Sequence, residues 1–196
     1  MTTTQAFSKR VNRGEQGFTL LECLISMVVL TVGLISLLAV LTVAMTATQT
    51  SGEDAIAKKL AQEAVESIYS ARDTTNVTWS QIENVGSGGI FVAGLQAINQ
   101  PGVDGIIGTA DDSAALPQVM ETAGNTGVYA GTCPPDNCTS LTNFQRSITI
   151  ADVADPSNPG NPYGNLRQLT VTVQYTTPQF KLPKTYSLVS YISQYK

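Results

Sequence analysis

The 196-residue chain contains no histidine, and charge is scarce: 13% of residues are Asp, Glu, Lys or Arg, with a net charge of −4. Without histidine the commonest general base is missing, and so is the commonest ligand for zinc, copper or iron. Hydrolases that use a serine or cysteine nucleophile with a histidine base are excluded. Any catalytic role would rest on carboxylates or lysines, and no cluster of these suggests an enzyme. Basic residues do not gather into a nucleic-acid footprint. They group only as Lys9, Arg10 and Arg13 at the front and as the Lys58–Lys59 pair.

Cysteine is also sparse, with three in the chain. Cys23 lies inside an apolar run and reads as a small buried hydrophobe. Cys133 and Cys138 bracket "CPPDNC". A metal site there would need two further ligands of similar character, which the sequence does not offer. A disulfide needs only an oxidising compartment and a tight turn, and Pro134, Pro135, Asp136 and Asn137 suit that turn. The disulfide is the expected state.

What the chain has in abundance is one long apolar segment. No charged residue occurs from Cys23 to Gly52. The hydrophobic part, from Phe18 to about Met45, would extend about 42 Å as a helix, and a bilayer core needs only about 20 residues. A secretory signal peptide has a shorter apolar region, of about 7–15 residues, and a small-residue cleavage site. This run is longer, and "TATQTSGED" after it opens on no such site. Lys9, Arg10 and Arg13 precede the run, so the positive-inside bias places the N-terminus in the cytoplasm and the remainder outside.

The helix is expected to continue past the lipid. In "SGEDAIAKKLAQEAVESIYSARDT", Ala57, Leu60, Ala61, Ala64, Ile68 and Ala71 recur at three- and four-residue spacing and form one apolar stripe. Most of the residues between them are good helix formers. The spacing predicts one helix from about Phe18 to about Arg72, roughly 80 Å long. Its first half is apolar all round and its second half amphipathic. Gly33 and Gly52 are points where it could bend.

"KRVNRGEQGFTLLE" resembles the class III signal peptide of the type IV pilin and type II secretion pseudopilin superfamily. The resemblance rests on a short basic leader ending at Gly17, then Phe18, Thr19-Leu20-Leu21-Glu22 and a continuous apolar helix. It covers about the first 50 residues closely. "AKKLAQEAVESIYSARD" extends it more loosely and is similar to the minor pilins called PilV-like. The resemblance implies that a prepilin peptidase cuts after Gly17, that Phe18 becomes an N-methylated terminus, and that Glu22 pairs with the terminal amine of a neighbouring subunit. It implies a bacterial inner-membrane protein that joins other pilin or pseudopilin subunits at an assembly platform, in a pilus or a periplasmic pseudopilus. The leader alone does not separate those two. Independently, a carboxylate in a membrane segment costs about 2.5–3.5 kcal/mol at a helix centre, less near an end, and is a functional-site hypothesis by default. A neighbour's cationic amine would offset much of that cost.

Beyond Thr74 the texture changes. Residues 74–143 are rich in Gly, Asn, Thr and Ser and predict an irregular region with one hairpin. Three later runs predict strands, at 144–153, 166–177 and 185–195. In the second, Leu169, Val171, Val173 and Tyr175 share one face while Thr170, Thr172, Gln174 and Thr176 take the other. Short loops rich in Pro, Gly and Asn favour an antiparallel meander. One face of the sheet needs cover, and the stripe of the long helix can supply it. The expected class is therefore α+β, a long N-terminal helix packed on a C-terminal antiparallel sheet. The expected organisation is a leader at 1–17, a transmembrane half-helix at 18–45, an amphipathic half-helix at 46–73 and an external globular domain at 74–196.

"PGVDGIIGTADDS" admits two readings. Asp104, Asp111 and Asp112 could offer hard oxygen ligands to calcium, with Gly105 and Gly108 allowing a tight loop. The spacing is not that of an EF-hand. The alternative, which we prefer, is a pair of turns in which the aspartates serve the backbone. No other cofactor is expected. "NVT" and "NCT" fit the glycosylation acceptor pattern, which carries little weight in a bacterial protein.

Overall fold

The computed structural model describes residues 18–121, 138–158, 160, 162–177 and 182–195. One helix, α1, spans Leu20–Asp73. Contacts divide the chain into two units, Met1–Met45 and Thr46–Lys196.

In the first unit every residue from 20 to 45 is exposed. Leu24, Val29, Leu34 and Leu38 present side chains that no other described part of the unit covers. Apolar area left in water costs about 25 cal/mol per Å², so this surface calls for lipid or for neighbouring helices. Cys23 was expected to be buried, and within the chain it is exposed and a free thiol. Its apolar neighbours are equally bare, because no described residue of the unit packs on the helix at that level. The hydroxyls in this stretch turn inward to the backbone. Ser26 donates to the Glu22 carbonyl at 2.7 Å, Thr31 to Val28 at 2.8 Å, Ser36 to Val32 at 2.9 Å and Thr42 to Leu38 at 2.9 Å. A hydrocarbon environment demands such internal satisfaction. The helix is continuous through Gly33 and Gly52, where a Cβ would meet nothing within 4 Å.

In the second unit α1 buries Ala57, Leu60, Ala61, Ala64, Val65, Ile68 and Ala71, which is the expected stripe with Val65 added. The small alanines let the backbone approach the sheet closely. The helix ends in a left-handed cap. Thr75 has φ 62°, Asn76 N–H donates to Ala71 at 3.0 Å and Thr75 N–H donates to Arg72 at 3.1 Å. This is the six-to-one and five-to-two pattern that glycine usually closes, made here with a β-branched residue.

Among the described residues six strands follow: β1 Gln96–Ala97, β2 Val119–Glu121, β3 Cys138–Ser140, β4 Phe144–Ala154, β5 Pro162–Thr176 and β6 Pro183–Ser193. Four form an antiparallel sheet in the order β1-β4-β5-β6, and β2 pairs with β3 as a separate antiparallel ribbon. The α+β class and the meander of three long strands are as the sequence implied. β5 begins four residues earlier than expected, inside the Pro- and Asn-rich stretch. There Ala154 pairs with Pro162 across a bulge after Asp152. At that end β5 has a neighbour on one side only, and a proline is tolerated on such an edge. Cys138 opens β3. Cys133, and with it the expected disulfide, lies outside the described residues.

Leu169, Val171, Val173 and Tyr175 are fully or nearly fully buried, and Phe144, Ile148 and Ile150 share their side of the sheet. Phe144 and Tyr175 stack with ring centroids 5.3 Å apart. The sheet meets the helix through polar contacts as well. The Tyr69 hydroxyl donates to the Tyr191 carbonyl at 2.6 Å, Arg72 Nη1 donates to Ser193 at 2.9 Å, and the Tyr175 hydroxyl donates to Asp54. Desolvation and the Asp54 carboxylate raise the Tyr175 phenol well above its ordinary range.

Two arginines lie on the buried side, where the sequence reading placed no charge. Arg146 falls between Phe144 and Ile148, and Arg167 precedes Leu169 by two. Arg167 is held by Asp152 at 3.1 Å, by Glu83, and by the Trp79 and Ile82 carbonyls. Its guanidinium also lies 4.4 Å from the centre of the Trp79 ring. Arg146 donates to the Leu60 carbonyl at 3.3 Å, with Glu63 and Asp112 as the nearby opposite charges. Burial pushes its pKa down despite them.

Candidate functional site

The first site is the start of α1. Thr19 is its N-cap: its Oγ1 accepts the Glu22 N–H at 3.3 Å, and its carbonyl accepts the N–H groups of Glu22 and Cys23 at 3.0 and 3.2 Å. Thr19-Leu20-Leu21-Glu22 is thus the T-x-x-E pattern of a capping box, which is legible in the sequence itself. Of the reciprocal pair, the threonine half is made. The Glu22 carboxylate makes no side-chain hydrogen bond or ion pair among the described residues, and it is exposed. It sits in the first helical turn, where the unpaired N–H groups favour negative charge. Phe18, immediately before the cap, is 79% exposed. Gly17 lies outside the described residues. The helix therefore opens with a bare aromatic residue and a carboxylate that no described residue engages, and continues as an unbroken apolar surface.

The acidic loop is the second site. Asp104, Asp111 and Asp112 come together, with one oxygen from each lying within 4.8 Å of the others. Two left-handed glycines, Gly105 at φ 69° and Gly108 at φ 95°, let the chain double back. Each carboxylate is used by the loop itself. Asp104 Oδ1 accepts the Ile106 N–H at 2.8 Å, Asp111 accepts the Thr109 hydroxyl at 2.6 Å and the Asp104 N–H at 3.2 Å, and Asp112 accepts the N–H groups of Gly102 at 2.9 Å and Gly108 at 2.6 Å. The Thr109 hydroxyl and then the Asp104 N–H lower the Asp111 pKa, whereas burial raises that of Asp112. Buried Ile106 and Ile107 and a 3.1 Å bond from Ile107 N–H to Ser67 Oγ anchor the loop to α1. Oxygens around calcium at 2.3–2.6 Å stand up to about 5 Å apart, so the spacing also fits a cation.

Comparison with known proteins adds one match. Residues 12–38 match the family described as the prokaryotic N-terminal methylation motif. The match takes in the basic residue Arg13, the Gly17–Phe18 junction, Glu22 and more than half of the exposed apolar helix. It supports a type IV pilin-like class, a prepilin that a prepilin peptidase processes and that assembles with other pilins. Motif and apolar helix together support membrane anchoring, and the motif's family is structural rather than enzymatic. No curated protein and no solved structure matches the chain.

Proposed function

We propose that the chain is the precursor of a PilV-like minor type IV pilin. Prepilin peptidase cuts between Gly17 and Phe18 at the cytoplasmic face, and the new Phe18 amine is methylated. The apolar half of α1 holds the subunit in the inner membrane, with the sheet unit outside. Glu22 then pairs with the Phe18 amine of a neighbouring subunit as the chain passes from the assembly platform into a filament. In this oxidising setting Cys133 and Cys138 close a disulfide. The observation that carries this reading is the methylation motif laid across the start of an apolar helix whose one acidic group has no side-chain partner among the described residues.

The same observation suits a minor pseudopilin of a type II secretion system, so the test must separate the two. In cells with active prepilin peptidase, tagged chain is expected in the sheared surface-filament fraction. Without the peptidase it is expected to stay in the inner membrane at precursor size. Processed chain that never reaches the sheared fraction, and instead co-purifies with secretion-channel components, would favour the pseudopilin. Unprocessed chain in both strains would point to a plain anchor that does not assemble.

We read the acidic loop as a pair of self-satisfied turns. On that reading millimolar calcium leaves the thermal midpoint of the protein unchanged. A ligand that binds only the folded state raises stability by about 2.7 kcal/mol at a hundred times its Kd. A calcium-dependent rise that Asp111→Asn abolishes would assign the loop to a cation instead.

A further inference from the structure

The two edges of the main sheet are finished differently. On the β4 side, β1 covers Gln145 and Arg146. Further along, the Asn84 side chain acts as a short strand: its Nδ2 donates to the Ile148 carbonyl at 2.9 Å and its Oδ1 accepts the Ile150 N–H at 2.8 Å. Those groups would otherwise be free ladder positions. Among the described residues, the β6 edge has no such cover along its middle.

The register shows which β6 groups are free. Gln194 N–H donates to Asn165 at 2.9 Å, and these residues continue the β5–β6 register, so even-numbered β6 residues bond to β5. Odd-numbered residues turn their N–H and C=O outward. The outward carbonyls of Tyr191 and Ser193 confirm this, since Tyr69 and Arg72 of α1 reach them. Thr185, Ser187 and Val189 remain, all exposed, with both backbone groups facing away from the sheet. Natural sheets blunt such edges with charges, prolines or bulges. Here the only such residues are Pro183 and Lys184, at the start of the strand.

We infer that this edge pairs with β6 of a second copy of the chain, antiparallel about a two-fold axis through Ser187. Self-complementarity of the free groups argues for that occupant. With Ser187 opposite its own copy, Thr185 faces Val189, and every outward N–H and C=O of the three residues finds a partner. One step further, Pro183 faces Tyr191. Proline has no N–H to give, and the Tyr191 carbonyl is already taken by Tyr69, so the missing donor meets the occupied acceptor. The Tyr191 N–H remains for the Pro183 carbonyl. Side chains agree with the register. Tyr186 meets Leu188, an aromatic–aliphatic pair of the kind that stabilises sheets, and Lys184 meets Ser190, so no like charges oppose. The contact is small, and membrane confinement of both chains would raise their effective concentration.

The test uses the full chain purified in detergent, with Cys23→Ser as background. Residues opposed in a hydrogen-bonded antiparallel pair have Cα atoms about 5.5 Å apart, within disulfide reach. Ser187→Cys is therefore expected to form a covalent dimer on mild oxidation, about ten times or more above Thr149→Cys, which is exposed on the outer face of β4. Ser187→Pro removes an outward N–H without breaking a backbone bond to β5, and gives up only the exposed 3.0 Å hydrogen bond between the Ser187 and Thr172 hydroxyls. It is expected to keep the thermal midpoint and lose the dimer in light scattering. Equal cross-linking at both positions, or a monomer at every concentration, overturns the pairing. The latter is also the result expected if a strand of a different protein fills the edge. A dimer that survives Ser187→Pro in a folded chain overturns it too. Should Ser187→Pro not fold, the cysteine comparison decides alone.

Discussion

Glu22→Ala is expected to insert into the membrane and to be cut after Gly17, yet to be absent from filaments. The argument is energetic. A carboxylate in a membrane helix costs up to about 3 kcal/mol on insertion scales, and a cation brought beside it in low dielectric recovers much of that. The structure shows Glu22 exposed and without a side-chain partner among the described residues, and the Phe18 amine of a neighbouring subunit is the cation the proposal brings to it. Loss of about 3 kcal/mol at each subunit contact corresponds to roughly a hundredfold loss of incorporation. A competing role exists, because Glu22 is also the third residue of a capping box behind Thr19. Glu22→Gln separates the two. Glutamine can still serve a capping box, but it carries no charge. If charge pairing is the role, Glu22→Gln fails like Glu22→Ala; if capping is the role, it is rescued. Quantitative immunoblotting of sheared filaments against the membrane fraction reads both.

Arg167→Ala is expected to be the most damaging single truncation in the sheet unit. The side chain is 8% exposed and is held by two carboxylates and two backbone carbonyls. Its charge is costly to bury, but the partners arranged around it are costly to abandon. Removal leaves Glu83, only 23% exposed, without its cation, and takes away the plane that covers the Trp79 ring. Breaking a buried pair from one side typically costs about 3–5 kcal/mol. The outward half of this network is wet, so the lower end applies, about 3 kcal/mol. For a chain of this length that lowers Tm by roughly 6–12 °C. Arg167→Lys is expected to recover little of it, since an ammonium cannot fork between two carboxylates while lying over an indole. Thermal unfolding followed by near-UV circular dichroism checks both. A shift under about 2 °C for Arg167→Ala would show that the network contributes little.

Much of this fold is written in periodicities that one element can carry alone. The stripe from Ala57 to Ala71 and the alternation from Leu169 to Tyr175 both lie on the buried sides that their spacing gives. The same rule extends to the arginines, because strand parity places a side chain irrespective of its polarity. "FQRSITI" puts Arg146 on the side of Phe144 and Ile148 whatever its charge. What makes that burial tolerable is carbonyls and carboxylates from distant segments, which no local pattern shows. Asn84 at the β4 edge is likewise a tertiary event, an amide that fits where a strand would. Thr75 in a left-handed cap carries no signal either, since the usual glycine is absent. Cys23 shows the opposite case: an apolar context predicts burial, whereas no described part of the chain covers this surface, which is left to lipid or to other chains. At the acidic loop, the convergence of the three aspartates and the turn-forming glycines were both readable. The bonds that engage each carboxylate were not, as they depend on how the loop closes on itself.

The central claim is that the chain functions only after losing everything before Phe18. Intact mass of the protein recovered from membranes of a strain with active prepilin peptidase tests it most directly. The account predicts a chain that starts at Phe18, lacks the mass of residues 1–17 and carries one added methyl group. A mass equal to the full 196-residue chain would contradict it.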